Sequence, residues 1–218
     1  GGNVAENAGG VHCLKYGLTV QNIASLEVIT IDGERLTIGS AALDTPGYDL
    51  LALMTGSEGL LGVIVEVTVR LLPVPERAQV ILAAFDAVET AGEAVAAIIS
   101  AGILPAGLEM MDTLAIRAAE DFVHAGYPTD AAAILLCELD GTNEDVSVKI
   151  GEVRNLLKSM GASQVRTAQD EQERQRFWAG RKAAFPAVGR ISPDYYCMDG
   201  TIPRKHLGKV LATISQWS

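Results

Sequence analysis

From Val63 to Leu71 apolar and polar positions alternate, with Val63, Val65, Val67, Val69 and Leu71 interleaved with Glu66, Thr68 and Arg70. That period of two predicts a strand. Just before it Gly56, Gly59 and Gly62 stand three apart, and before them Leu50, Leu51, Leu53 and Met54 form a short apolar run of good helix formers. The order is helix, glycine turn, strand. Upstream, the β-rich runs 26–31 and 34–38 flank Asp32-Gly33. This pattern predicts a hairpin, since glycine accepts the positive φ of such a turn. Residues 1–72 thus read as a small, mostly β unit, and Pro73 and Pro75 break its last strand and make a linker.

The remainder alternates strand and helix. Residues 78–85 are an apolar strand, and the helix 87–101 places Val88, Ala91, Val95, Ile98 and Ile99 on one face before Gly102 stops it. A short strand follows at 108–111, then a helix capped by Asp112 and ended by Gly126, then an apolar strand at 131–139. Val146, Ile150, Val153, Leu157 and Met160 space a further helix, which Gly161 closes ahead of a strand at 164–168. With the helix at 113–125 set aside, the order is β-α-β, β-α-β: a ferredoxin-like arrangement of class α+β, with an antiparallel sheet and helices on one face. A long polar helix is expected from Glu171 towards Ala187, a strand with an aromatic edge at 194–202, and an amphipathic helix from Pro203 through Ile214.

The glycine turn is neither a dinucleotide-binding fingerprint, which runs strand, turn, helix, nor a phosphate loop ending in Gly-Lys-Ser/Thr. Its backbone can approach a phosphate or a flat ring closely. A plain turn feeding a buried strand explains the same glycines, and the pattern alone leaves both readings open.

With 218 residues, 49% of them hydrophobic, the chain can bury substantial cores. No apolar run reaches the length of a membrane span, no signal-peptide pattern opens the chain, and the expected setting is cytoplasmic. A net charge of −10 argues against nucleic acid and against an anionic membrane surface. The charge is uneven, however: residues 174–209 carry +6 and the rest −16, so a cationic island that suits a small anion sits in an acidic chain. Cys13, Cys137 and Cys197 are scattered, as are His12, His124 and His206, and no metal site is signalled. Two glycine pairs bracket asparagines in Gly1-Gly2-Asn3-Val4-Ala5-Glu6-Asn7-Ala8-Gly9-Gly10, which reads as the middle of a loop. The expectation is an internal piece of a longer polypeptide.

That opening stretch, with Tyr16-Gly17, Gly47-Tyr48-Asp49-Leu50, Gly56-Ser57-Glu58-Gly59-Leu60-Leu61-Gly62 and Pro73-Val74-Pro75, resembles the FAD-linked oxidases of the vanillyl-alcohol-oxidase type. Residues 177–185 and 191–203 narrow the likeness to the flavoproteins that oxidise glycolate, with flavin D-lactate and D-2-hydroxyglutarate dehydrogenases as near relatives. The resemblance implies that residues 1–73 are the C-terminal part of an FAD-binding domain and 74–218 most of a substrate or cap domain. It implies FAD contacts at Asn7, Ala8, Gly9, Gly10, Glu58, Gly59, Gly62 and Ile64. It also implies that Arg181 grips the carboxylate of a small 2-hydroxy acid, a role suited to a guanidinium, which pairs bidentately and keeps its charge.

The activity so implied is FAD-dependent dehydrogenation of a 2-hydroxy acid, glycolate to glyoxylate, by a longer parent, the piece alone being inactive. Partner flavin and iron–sulfur subunits feeding a membrane quinone pool are implied with it. The family's other pyrophosphate loop and its histidine-bearing C-terminal segment have no counterpart here, so no catalytic base and no metal ligand is assigned. Some relatives carry a lysine where Cys197 stands. Oxidation of D-lactate or another D-2-hydroxy acid is the alternative within the family. A non-enzymatic ferredoxin-like interaction module is the alternative outside it.

Overall fold

Two units, Gly1–Val74 and Pro75–Ser218, each gather their own core in the computed structural model of the chain, which describes residues 1–40, 42 and 47–217. The first unit contains α1 (Gly2–Ala5), α2 (Cys13–Tyr16), a 3-10 turn at Thr19–Asn22, β1 (Ile23–Ile29), β2 (Arg35–Gly39), α3 (Leu50–Met54) and β3 (Val63–Val69). The strands form an antiparallel sheet in the order β2-β1-β3, with Leu26 opposite both Ile38 and Val67. The expected hairpin is present, and Gly33 turns it at φ +79°. Asp49 caps α3 by accepting a hydrogen bond from the Ala52 amide at 3.0 Å. Val4, Ile23, Leu26, Val28 and Met54 are the buried core, against which Ile38, Leu51, Ile64 and Val67 pack.

The second unit contains β4 (Arg77–Phe85), α4 (Val88–Ser100), β5 (Gly107–Asp112), α5 (Thr113–Val123), β6 (Ala133–Gly141), α6 (Asn143–Ser159), β7 (Gln164–Thr167), α7 (Glu171–Lys182), α8 (Ala184–Ile191), a 3-10 turn at Arg204–His206 and α9 (Leu207–Trp217). The sheet order β5-β6-β4-β7, antiparallel at every junction, is the ferredoxin-like topology that the alternation predicts. Because side chains alternate along a strand, Ile81, Ala83 and Phe85 face one way with Ala133, Leu135 and Cys137, and α4 and α6 bury them with Ala91, Ala94, Ile98, Val146, Val153 and Leu157.

The opposite face is covered too, which the expectation of helices on one face did not include. Val80, Leu82, Ala84, Ile134 and Leu136 are buried there, together with Ile116 and Ala119 of α5 and Phe177 and Trp178 of α7. Strands apolar at every position, such as 80–85, are what a sheet buried on both faces requires.

Two other expectations are corrected. The long helix from Glu171 is broken at Ala183, the shared boundary of α7 and α8, three residues before Pro186, whose ring and missing N–H suit the first turn of a new helix. Residues 194–202 form no strand: among the described residues no segment pairs with them, and Pro193 and Pro203 bound a largely exposed irregular run. Alternation marks a strand only where a neighbour supplies its hydrogen bonds. Among the described residues no helix is long and apolar enough to cross a membrane.

Candidate functional site

In the first unit the two glycine stretches lie side by side. The Gly56 amide donates to the Val4 carbonyl at 2.8 Å and the Glu58 amide to the Ala5 carbonyl at 2.9 Å, so the turn after α3 is laced to the end of α1. Asn7 takes a left-handed conformation at φ 47°, and its Oδ1 accepts from the Val20 amide at 3.1 Å. Thr19 Oγ1 donates to the Ala8 carbonyl at 2.7 Å, which pins the loop from its other side. Ala8, Gly9 and Gly10 then line a cavity of about 470 Å³ with His12, Cys13 and Tyr16.

The fold itself explains some of these residues. A Cβ on Gly62 would fall 2.6 Å from Val28 Cγ1 and 2.9 Å from the Ile29 carbonyl, so the close approach of β1 demands glycine there. Ile64 packs on the small core. Gly10 is different, because a Cβ there would meet nothing within 4 Å and its φ is not positive. No contact among the described residues requires its bareness, which fits a group lying against the backbone from outside. Ser57, between Gly56 and Glu58, has a buried Oγ with no hydrogen-bond partner among the described residues. Such an orphan hydroxyl costs free energy until a ligand or water reaches it. The cavity and the bare backbone of Gly10 on its wall suit a phosphate-bearing or flat cofactor; Ser57 lies outside that lining, in the turn laced to α1. The burial of Ser57 is invisible in sequence.

The second unit carries a larger cavity, about 850 Å³, at the end of α7. Its wall is mostly apolar and aromatic, including Met110, Phe185, Val188, Tyr195, Cys197 and Met198, and Arg181 lies within it. Helix α7 presents Arg174, Phe177, Trp178 and Arg181 to the sheet, the spacing of one helical face. The sheet answers with two carboxylates. Glu138 on β6 is 4% exposed and receives Arg174 Nη1 at 2.7 Å and Trp178 Nε1 at 2.6 Å on one oxygen. Glu109 on β5, opposite Leu136 and therefore on the same face, receives Arg181 Nε at 2.8 Å. The ion pair of Arg181 is thus with Glu109. Glu173, on the same helix, instead holds Arg166 at 2.8 Å.

The backbone at this point is gripped as well. The Tyr127 hydroxyl donates to the Phe177 carbonyl and sits against the Arg181 amide. Burial, the largest cause, raises the Tyr127 pKa well above the ordinary phenol value, so it stays a neutral donor. At the exposed start of α7, hydrogen bonds from Arg174 and Gln175 hold Glu171 down at about 2. The Gln169 amide, and then Arg166, lower Glu173. Cys137, under α4 and α6, is pushed up to about 12 by burial and then by Glu138.

The cationic island does not close into one site. Arg174 is spent on Glu138 and Glu171, Arg190 lies 5.4 Å from the centroid of the Phe122 ring, and Arg204 and Lys205 lie exposed on the second 3-10 turn. Sequence reasoning found Arg181 but missed Glu109, Tyr127 and Glu138. The available signal was an acidic residue at an inward position of an otherwise apolar strand, which needs a buried cation.

Residues 74–217 match the family model described as FAD linked oxidases, C-terminal domain, and residues 1–39 match an FAD binding domain. The chain belongs to the FAD-linked oxidases. Within this family it is 69% identical over its whole length to the glycolate oxidase subunit GlcD of Escherichia coli K12, covering 44% of that protein. It is 38% identical over 99% of its length to the subunit of the same name from Bacillus subtilis, covering 46%, and 30% identical over 96% to a probable mitochondrial D-lactate dehydrogenase of Danio rerio, covering 43%. The chain therefore spans less than half the length of these curated relatives. Solved structures of an alkyldihydroxyacetonephosphate synthase (TM-score 0.68, 20% identity, 88% of this chain and 37% of that one) and of p-cresol methylhydroxylase (TM-score 0.62, 18% identity, 80% and 40%) share the fold. FAD is the cofactor of the family, and the membership sets aside the reading as a free-standing interaction module.

Proposed function

We propose that this chain is part of an FAD-dependent dehydrogenase of small 2-hydroxy acids, acting on glycolate to give glyoxylate. The observation that carries the reading is Arg181: a guanidinium set into the wall of an otherwise largely apolar cavity, with one edge held by Glu109 and the other without a partner among the described residues. A carboxylate meets that edge with two parallel charge-assisted hydrogen bonds, beside the apolar side chains of Phe185, Val188 and Met198. The strong likeness to glycolate oxidase subunits supports glycolate among such acids.

In the first unit, Asn7, Ala8, Gly9, Gly10, Glu58, Gly59, Gly62 and Ile64 would hold FAD, largely through backbone groups, with Ser57 Oγ as a further donor. When bound, FAD supplies the acceptor for the hydride that leaves Cα. This chain's own part is to anchor the acid by its carboxylate, so that its Cα is presented in one orientation. The proton of the hydroxyl goes to a base outside the residues assigned here. D-lactate is the second reading, favoured by the similarity to D-lactate dehydrogenases of animal and plant mitochondria. Further subunits, an iron–sulfur protein among them, and attachment to a membrane through them complete the proposal, supported by the word subunit in the names of the bacterial relatives.

The test is steady-state turnover of the complete holoenzyme with glycolate and D-lactate. Arg181→Ala should lower kcat/KM for both by about 10²–10³-fold, the effect of losing one charge-assisted pair in a desolvated pocket. Unchanged turnover would remove Arg181 from substrate binding.

A further inference from the structure

We infer that Glu109 is the positioning residue of Arg181: by taking Nε alone, it orients the guanidinium so that its Nη1–Nη2 edge is offered to the substrate carboxylate. The inference rests on the proposed role of Arg181 and extends it to a residue that nothing in the sequence motifs marks.

Arg174 and Arg181, two helical turns apart on the same face of α7, provide an internal comparison. Arg174 uses every edge of its guanidinium, Nε and Nη2 on Glu171 and Nη1 on Glu138. All three of its nitrogens are engaged by carboxylates, and its role is to seat the helix. Arg181 makes one hydrogen bond, Nε to Glu109 Oε2 at 2.8 Å, and neither Nη has a partner among the described residues. Its side chain is 29% exposed and that of Glu109 19%, so the pair lies at the cavity wall and not on open surface. A pair so placed loses less to solvent screening than an exposed one.

Geometry makes the division of labour possible. A guanidinium has two faces suited to a carboxylate, and occupying Nε by a group fixed on a strand leaves the end-on fork free while removing rotation about the last bonds of the side chain. Glu109 is well suited to that task. It stands on β5 in register with Leu136, so its Cα is fixed by the sheet, and the Tyr127 hydroxyl holds α7 at the Phe177 carbonyl, about one turn before Arg181. A lone arginine in a cavity of about 850 Å³ would otherwise sample several rotamers, and each hydrogen bond to substrate would then cost ordering entropy.

The alternative role for Glu109 is a field effect, in which its negative charge tempers the attraction of anions. Two conservative variants of the complete holoenzyme separate them. Glu109→Gln keeps the reach and an acceptor for Nε but removes the charge; Glu109→Asp keeps the charge but withdraws it by one methylene. Orientation predicts that kcat/KM for glycolate stays within about fivefold of the parent in Glu109→Gln and falls about tenfold or more in Glu109→Asp, the worth of one charge-assisted hydrogen bond. A field role predicts the reverse order, with Gln changing anion affinity and Asp leaving it nearly unchanged.

A double-mutant cycle adds a readout that loss of fold stability would not move. In an Arg181→Lys background there is no fork to orient, so Glu109→Asp should cost less than about twofold. Additive losses, an unaffected Glu109→Asp enzyme, or a Glu109→Gln defect as large as that of Asp would each overturn the inference. If instead Arg181→Ala itself left kcat/KM unchanged, the proposed substrate contact would fail, whatever the Glu109 variants do.

Discussion

Gly180 lacks a side chain because Tyr127 occupies the space. A Cβ there would fall 2.5 Å from the Tyr127 ring, and this close approach is what lets the hydroxyl reach the helix backbone between Phe177 and Arg181. Gly180→Ala is therefore expected to destabilise the second unit by about 1–3 kcal/mol through overpacking, while Tyr127→Phe, which removes one hydrogen bond and little volume, should cost about 1 kcal/mol. Urea denaturation followed by tryptophan fluorescence, to which Trp178 next to the Phe177 contact of Tyr127 contributes, measures both. A Gly180→Ala protein as stable as the parent would mean that the ring moves aside freely. At this scale the sequence was only partly legible. Arg181 stood out by residue type within a motif, but Tyr127, Glu109 and Glu138 act on α7 from distant parts of the chain, and only the strand register brings them there.

The start of α7 ties stability to pH. Glu171 and Glu173 both titrate below the ordinary carboxylate range in the folded chain, so the unfolded chain takes up protons first as pH falls. Their contribution is complete above the usual carboxylate pKa of about 4.5 and is lost as pH descends towards about 2. Glu171 is mostly exposed, so its share should be at most about 1 kcal/mol, read as a flattening of stability between pH 5 and 2.5 in Glu171→Gln. A variant with the parent's acid profile would contradict this. The strands of the second sheet were legible because their apolar runs report burial directly, whereas β3 was legible as a strand but not in its facing: Val63, Val65 and Val69 are exposed and Ile64 and Val67 pack on the core. The break at Ala183 and the unpaired run at 194–202 were not legible, because the end of a helix and the absence of a pairing partner depend on tertiary neighbours.

For the whole molecule, the three thiols lie at three depths: Cys197 is exposed, Cys13 half-buried, and Cys137 fully buried with its pKa near 12. Alkylation at pH 8 followed by peptide mass mapping should label them in that order, with Cys137 reacting only as fast as the sheet of the second unit opens. Rapid labelling of Cys137 in the native protein would mean that its core is not closed. The first unit has a different kind of cohesion. Its two glycine stretches are far apart in sequence, yet Gly56 and Glu58 hang their amides on the carbonyls of Val4 and Ala5. A hydrogen-exchange experiment should find these amides and those of α1 released at one common rate, so that the segments behave as a single latch: neither can come undone while the other stays shut.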